Sequence, residues 1–180
     1  MRRTNLVLFF LFVLTARAAE VESRVLTHYV PQDFLETVVR TEGWTRLPLD
    51  VKGGVRKGDV VRIWAGGSID YGNGDRPGQN VTGPAGAAAG QPVVDLKQLA
   101  LSAEPKTTFA LLFKTESPGV HPCAAPGKPL EIKLSKDKEQ VWLGFNDARG
   151  RFHDNHLGRG TRHELDPLWV RIEVVRIIID

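Results

Sequence analysis

Residues 140–146 read Gln-Val-Trp-Leu-Gly-Phe-Asn, an apolar run that passes directly into a polar segment. Val141, Leu143 and Phe145 alternate with their neighbours, and this period of two is typical of a β-strand with one buried face. The segment that follows, residues 146–158, reads Asn-Asp-Ala-Arg-Gly-Arg-Phe-His-Asp-Asn-His-Leu-Gly. The stretch therefore predicts a β-protein that carries a polar, oxygen-rich loop at the end of a strand.

Further strands are predicted on both sides of this stretch. Residues 44–51 show period-two polarity, and apolar runs predict strands at residues 60–65, 109–115, 130–134 and 168–178. Trp64 and Trp142 lie inside such runs, so core packing is their expected role. Residues 32–39 fit either a short amphipathic helix or an extended strand, and only residues 94–101 hint at further helix. Short strands separated by turns predict an all-β fold, an antiparallel β-sandwich.

The first 18 residues are typical of an export signal. Arg2 and Arg3 precede the apolar run 6–14, and Ala16-Arg17-Ala18 fits signal peptidase cleavage before Ala19. The run is far shorter than the roughly 20 residues that span a bilayer, so no stable membrane span is expected after processing, with a retained anchor as the alternative. We expect three parts in a protein exported to the bacterial periplasm or the extracellular space: a signal peptide at residues 1–18, an N-terminal lead-in segment at 19–43, and a β-sandwich domain at 44–180.

Composition and charge exclude several classes of function. The length of 180 residues suits one domain. Residues 1–18 hold three of the 24 basic residues and no acidic residue, which leaves 21 basic and 21 acidic residues in the rest of the chain. A formally neutral protein has no net field that attracts a polyanion, so no nucleic-acid partner is expected. The single cysteine, Cys123, excludes an intrachain disulfide and a cysteine-rich zinc module, and a loop residue is a better interpretation of it than a catalytic thiolate.

The loop 146–158 carries the residues with the most chemistry. Asp147, Asp154 and Asn155 offer three oxygen-bearing side chains, and calcium takes six to eight oxygen ligands. Gly150 would ease a curl that turns Asp147 towards the other two. The alternating EF-hand spacing is absent, and Asp and Asn are also common in ordinary turns. The residues alone therefore leave a calcium site and simple turn chemistry both open.

Three short motifs follow one another along the chain: Lys57-Gly58-Asp59, then Ala65-Gly66-Gly67 with Tyr71-Gly72, then Asn146-Asp147 with Asp154-Asn155 and Gly158. In their order and spacing the chain resembles the PA-IL-like bacterial galactose-binding lectin family, over roughly residues 44–176. The resemblance implies a jelly-roll β-sandwich that is not an enzyme. It also implies one calcium ion, which binds the protein and two vicinal hydroxyls of a galactose-like sugar or glycan.

The same resemblance implies which residues form the site. The implied calcium ligands are side-chain oxygens of Asp147, Asp154 and Asn155 and backbone carbonyls of Tyr71 and Arg151. The implied sugar-binding residues are Asp147, Ala148, Asp154 and Asn155, with His153 as a further candidate on the same loop. The family usually has Asn at the position of Asp154, and the exchange keeps an oxygen ligand while adding a negative charge. Residues 73–91 contain no histidine to match the one that contacts galactose in the family, so selectivity for galactose does not follow.

Other interpretations use the same residues. A calcium-stabilised structural or adhesion module without sugar binding needs the same five ligands. A zinc hydrolase could use His153, His156 and His163, although the Asp and Asn between the first two suit calcium better. A homo-oligomer is possible, because multivalency strengthens weak sugar binding.

Overall fold

The computed structural model describes residues 21–72, 81–86, 99–101, 108–116, 119–123, 127–157 and 167–179. Within these ranges the chain forms one α-helix, α1 (Gln32–Arg40), and eleven strands. The strands are β1 (Val21–Tyr29), β2 (Thr45–Leu47), β3 (Val60–Gly66), β4 (Ile69–Asp70), β5 (Val81–Thr82), β6 (Leu111–Thr115), β7 (Val120–Pro122), β8 (Leu130–Lys133), β9 (Val141–Phe145), β10 (His156–Leu157) and β11 (Trp169–Ile179).

The strands form two four-stranded sheets and one small sheet. The larger sheets have the orders β1-β11-β3-β8 and β2-β9-β6-β7, and the small sheet has the order β10-β4-β5. Every pairing between these strands is antiparallel. The inner faces of both large sheets contribute to one buried cluster, as Ile63 and Ile172 from the first and Phe113 and Phe145 from the second show. The predicted antiparallel β-sandwich is confirmed.

Helix α1 belongs to the same core as the strands. Leu35, Val38 and Val39 are fully buried, and their spacing of three and four residues places them on one face of the helix. The helix contacts β9, β10 and the 3₁₀ turn at Phe152–Asp154. Of the two structures that the sequence left open for residues 32–39, the helix is therefore the one that forms, and it lies against the polar loop.

A buried ion pair fastens the last strand to the turn before β3. The Arg176 guanidinium lies 2.7 Å from one Asp59 oxygen and 3.0 Å from the other, and the Arg56 amide donates to Asp59 at 2.8 Å. Burial acts to raise the pKa of the Asp59 carboxyl, but these hydrogen bonds and the two positive charges together hold it below its usual range. Asp59 is therefore ionised and paired at neutral pH.

The tryptophan prediction was wrong for both strands. Trp64 and Trp142 are half-buried on the outer faces of the two sheets. The Arg171 guanidinium lies 4.1 Å from the centre of the Trp64 ring, and the Lys114 ammonium lies 5.3 Å from that of Trp142. The rings are sheltered by cationic side chains rather than by the core.

The other strand predictions hold with shifted ends, except that residues 44–51 form only the short β2. Of the helix suggested at 94–101, the described residues 99–101 are not helical, and Leu99 instead forms an isolated bridge with Ala148. Residues 1–20, which include the predicted signal peptide, lie outside the described ranges, as do residues 73–80 and 87–98. Within the described residues, no helix is long and apolar enough to cross a membrane.

Candidate functional site

The end of β9 is fixed by backbone contacts from two other segments. Asn146 is buried, and its carbonyl accepts a hydrogen bond from the Phe109 amide at 2.8 Å. The Leu101 amide donates to the Asn146 side chain at 3.3 Å, and the Ala100 amide donates to the carbonyl of Asp147 at 2.9 Å. These contacts fix the backbone at the first residues of the loop, independently of the side chains of Asp147, Asp154 and Asn155.

The Asp147 carboxylate is buried with only part of its hydrogen-bonding capacity used. Its exposed fraction is 2%, and Oδ1 accepts from the Ala148 amide at 2.6 Å, whereas Oδ2 is buried without a partner. Burial raises the pKa of Asp147, the hydrogen bond from the Ala148 amide acts against this, and the charge of Asp154 raises the pKa further. A positive charge beside Asp147 would relieve this unfavourable environment.

The 3₁₀ turn Phe152–Asp154 presents the second half of the loop. Phe152 is buried and anchors the turn in the core. Asn155 is fully buried, and its side-chain amide donates to the Val39 carbonyl of α1 at 2.9 Å. This bond orients the Asn155 side chain and leaves its Oδ1 buried without a partner, and Oδ1 of Asp154 is also buried without a partner.

The Tyr71–Gly72 segment lies directly against this turn. β10 pairs with β4, with His156 opposite Asp70, and so brings the two chain segments side by side. A Cβ built on Gly72 would lie 2.5 Å from the Asp154 carboxyl carbon, and Gly72 has a φ of +60°. Only glycine lets the backbone approach Asp154 this closely. The Gly72 backbone, directly after Tyr71, therefore borders Asp154.

Tyr71 is itself held in place by an aromatic contact. Its ring stacks on Phe109, with 3.8 Å between the ring centres. Burial raises the pKa of Tyr71, and the charges of Asp70 and Asp147 raise it further, which places Asp147 near the tyrosine as well.

Three oxygen atoms of this cluster share one property. In the described part of the chain, five buried side-chain nitrogen or oxygen atoms have no hydrogen-bond partner, and three of them are Asp147 Oδ2, Asp154 Oδ1 and Asn155 Oδ1. Buried polar atoms without partners are rare in native proteins, so each one needs an explanation. Carboxylate and amide oxygens are the ligands that calcium prefers, and the donor set therefore fits this ion. Within the described residues, no group of three or more His, Cys, Asp or Glu side chains is placed to hold a metal. The present set falls outside that definition, since it has two carboxylates and one amide.

The remaining predicted residues surround this cluster. The Arg151 amide donates to the Ala148 carbonyl at 3.0 Å and closes a turn, and the Arg151 charge acts to lower the pKa of Asp147. Ala148 is buried, whereas the His153 side chain is exposed on the 3₁₀ turn. The His153 carbonyl accepts from Arg40 of α1 at 3.1 Å.

The described residues give little support to a zinc hydrolase or a catalytic thiolate. His156 Nδ1 lies 3.2 Å from a Glu36 carboxylate oxygen, so this histidine is engaged with α1, and His163 lies outside the described residues. Cys123 is buried, and burial raises the pKa of its thiol to about 12, so it is not a thiolate at neutral pH.

Sequence reasoning missed two parts of the site. The Val39 carbonyl, which orients Asn155, is a backbone atom with no signal in the sequence. Gly72 stood in a quoted motif, but its contact with Asp154 depends on the pairing of β10 with β4. A positive-φ glycine after a tyrosine at a strand end is a weak signal for such a close approach.

Solved structures include proteins with a similar fold. A solved structure of the N-terminal domain of EclA, described as a PllA-like lectin, has a TM-score of 0.41 and 14% sequence identity with this chain. The likeness covers 82% of this chain and 92% of that one. No protein-family model matches the chain, and no curated protein matches it. A likeness this distant carries no argument about function, which therefore has to follow from the residues of this chain.

Proposed function

We propose that the protein binds carbohydrate through a calcium ion held by the loop 147–155 and the Tyr71 segment. The observation that carries the proposal is the cluster of three buried oxygens without donors, on Asp147, Asp154 and Asn155. The buried Asp147 carboxylate and the half-buried Asp154 carboxylate repel each other, and a divalent cation between them would replace that repulsion with attraction. The sequence resemblance to the PA-IL-like lectins supports the same assignment.

The number of ligands leaves room for a sugar. The side chains of Asp147, Asp154 and Asn155, with the carbonyls of Tyr71 and Arg151, supply five oxygen ligands, or six if one carboxylate binds through both oxygens. Calcium takes six to eight, so between none and three positions fall to water or to another ligand. Two adjacent sugar hydroxyls can fill two positions when at least two are open.

The residues of the chain then orient the sugar. Hydroxyls that bind calcium become better hydrogen-bond donors, and the carboxylates of Asp147 and Asp154 can accept from them. In this proposal Asn155 and the buried Ala148 would form the inner wall, and the exposed His153 would contact the sugar on the solvent side. The ligand is a galactose-like sugar or a glycan that carries two vicinal hydroxyls, and no bond is made or broken. We propose an exported protein, periplasmic or extracellular.

A calcium-stabilised structural module is the second candidate. It is favoured by the burial of Asp147 and Asn155 and by the bond from Asn155 to α1, since a deeply enclosed ion has fewer open positions. In this case calcium would fasten the loop to the helix without binding sugar.

Calorimetry separates the two candidates. Chelator-treated protein is titrated first with calcium and then, once loaded, with galactose and a panel of other sugars. Calcium heat that disappears in Asp147→Asn, followed by sugar heat that requires calcium, supports the lectin. Calcium heat without heat from any sugar supports the structural module.

Asp154→Asn is the matched variant, because it restores the residue that the lectin family usually has. It should keep calcium binding while weakening it. Wild-type protein that takes up no calcium would refute both candidates.

A further inference from the structure

The first strand is an open edge of the larger sheet. Within the described residues, β1 pairs only with β11, over nine residues in one unbroken register. The Val30 amide donates to the Val170 carbonyl in the same register, so even-numbered residues hydrogen-bond towards β11. The odd-numbered residues of β1 therefore turn their N–H and C=O groups outward, along a free edge.

In the described part of the chain, the exposed large apolar side chains are confined to the edge strand β1 and its neighbour β11. The described part of the chain has five exposed large hydrophobic residues, and all lie on β1 or β11: Val25, Leu26, Tyr29, Trp169 and Ile177. The exposed fractions reach 72% for Tyr29 and 58% for Ile177. Residues 21–29 contain no proline and no lysine, and no bulge interrupts the strand. Of the devices by which proteins usually protect an exposed edge, proline, lysine and bulges are absent from β1, and only Glu22 and Arg24 add charge. The strand is therefore suited to pairing with a partner.

We propose that β1 is a self-association edge, along which two copies of the chain join antiparallel with Val25 of one copy opposite Val25 of the other. The two sheets then become one continuous sheet of eight strands around a two-fold axis. This isologous arrangement closes on itself and cannot propagate into a fibre.

The register follows from the pattern of residues along the strand. Centring the axis on Val25 pairs all nine residues of β1, and any other centre pairs fewer. It also sets Ser23 of each copy opposite Thr27 of the other, and Ser–Thr pairs across antiparallel strands are favourable. The odd-numbered residues, which have the free backbone groups, pair with one another. The edge is therefore complementary to itself in hydrogen bonding and in side-chain type.

A row of valines extends through the same axis. On the outer face of the sheet, Val60 lies opposite Val175, and Val175 lies opposite Val25. Pairing at Val25 joins this row to its copy, so that six valines run across the middle of the eight-stranded sheet. On the other face Arg24 meets Leu26 of the second copy, and the arginine stem can cover the exposed leucine. The outward backbone groups and the matched side chains of residues 23–27 are why a second copy is the occupant that we propose.

The oligomeric state tests the proposal directly. Protein expressed from the full sequence, with its N-terminus determined by mass spectrometry, is sedimented from about 1 to about 200 µM, which brackets weak association. We expect a concentration-dependent monomer–dimer equilibrium, because one strand pair is smaller than a standard interface. Protein that stays monomeric throughout would overturn the proposal.

Cysteine crosslinking tests the register. Val25→Cys should form a disulfide dimer on mild oxidation, because the two positions face each other at the axis and Cα atoms in such pairs lie about 5.5 Å apart. Ile177→Cys is the matched control, since it is exposed on the same face but one strand from the edge, and it should not crosslink. The buried Cys123 gives no background. Equal crosslinking of the two variants would overturn the register.

A charge-swap pair separates association from folding. Val25→Lys and Val25→Glu each place like charges at the axis and should be monomeric with melting temperatures close to that of the wild type, because Val25 is half exposed. Mixing the two should restore a heterodimer. A wild-type dimer that persists in both variants would place the interface elsewhere.

Discussion

Exchanging Asp147 for asparagine should affect stability in opposite directions with and without calcium. Without the ion, the carboxylate is buried with Oδ2 unpartnered and Asp154 nearby. Asparagine removes that charge, keeps an oxygen for the Ala148 amide, and offers N–H groups to Asp154. We therefore expect Asp147→Asn to be more stable than the wild type in chelator.

The size of each effect can be estimated. A buried polar atom left unpartnered costs about 1–3 kcal/mol, so Asp147→Asn should gain about that much in chelator. For a chain of this length, 1 kcal/mol moves the melting temperature by about 2–4 °C. Calcium at a thousandfold excess over its dissociation constant stabilises the wild type by about 4.1 kcal/mol, or about 8–16 °C, and should leave the variant almost unchanged.

The assay is thermal unfolding followed by circular dichroism, for both proteins in chelator and in calcium. The order of melting temperatures should reverse between the two conditions. If Asp147→Asn melted lower than the wild type by the same amount in both, Asp147 would only be a structural hydrogen-bond acceptor and the reasoning would fail.

Three further outcomes follow from contacts outside the Asp147 carboxylate. Gly72→Ala should weaken calcium binding at least tenfold, as measured by calorimetry, because the added Cβ displaces Asp154. Gly150→Ala is the control, because Gly150 also has a positive φ but has open space around it. This exchange should cost only about 1 kcal/mol of stability and leave the calcium affinity unchanged. Asp59→Asn should lower stability by about 3 kcal/mol equally in calcium and chelator melts, since it strands the buried Arg176 partner; calcium-dependent loss would contradict this. The folded-state pKa of Asp59 is lowered, so its contribution to the free energy of unfolding should be full above about pH 4 and be lost as the pH falls through that lowered pKa. Thermal melts of the wild type and of Asp59→Asn from neutral to acid pH should therefore converge.

The sequence predicts best where one face of a strand is buried. In β9 the alternation of Val141, Leu143 and Phe145 matches their burial, because a period of two is enforced when only one face meets the core. The sequence of β1 shows no such alternation, because residues 23–27 are exposed on both faces. The strand is held by its pairing with β11 instead. The tryptophans misled because an apolar residue on an outer face can be sheltered by a cation as well as by a core.

The candidate site shows the same division. Asp147, Asp154 and Asn155 stand within nine residues of each other, so their shared loop is visible in the sequence. Val39 and Gly72 come from distant segments, and only the docking of α1 and the pairing of β10 with β4 bring them to the loop. Local spacing can therefore nominate ligands, but the groups that orient them depend on tertiary contacts.

The bond from Asn155 to the Val39 carbonyl spans 116 residues of chain, and it has a consequence for the order of events in folding. Contacts between such distant segments cost loop-closure entropy before they add stability, so we expect this bond to form after the folding transition state. An ion that needs this bond would then find no complete binding site in the transition state. The ion would then slow unfolding and leave the rate of folding nearly unchanged, because it stabilises only the chain that has already folded.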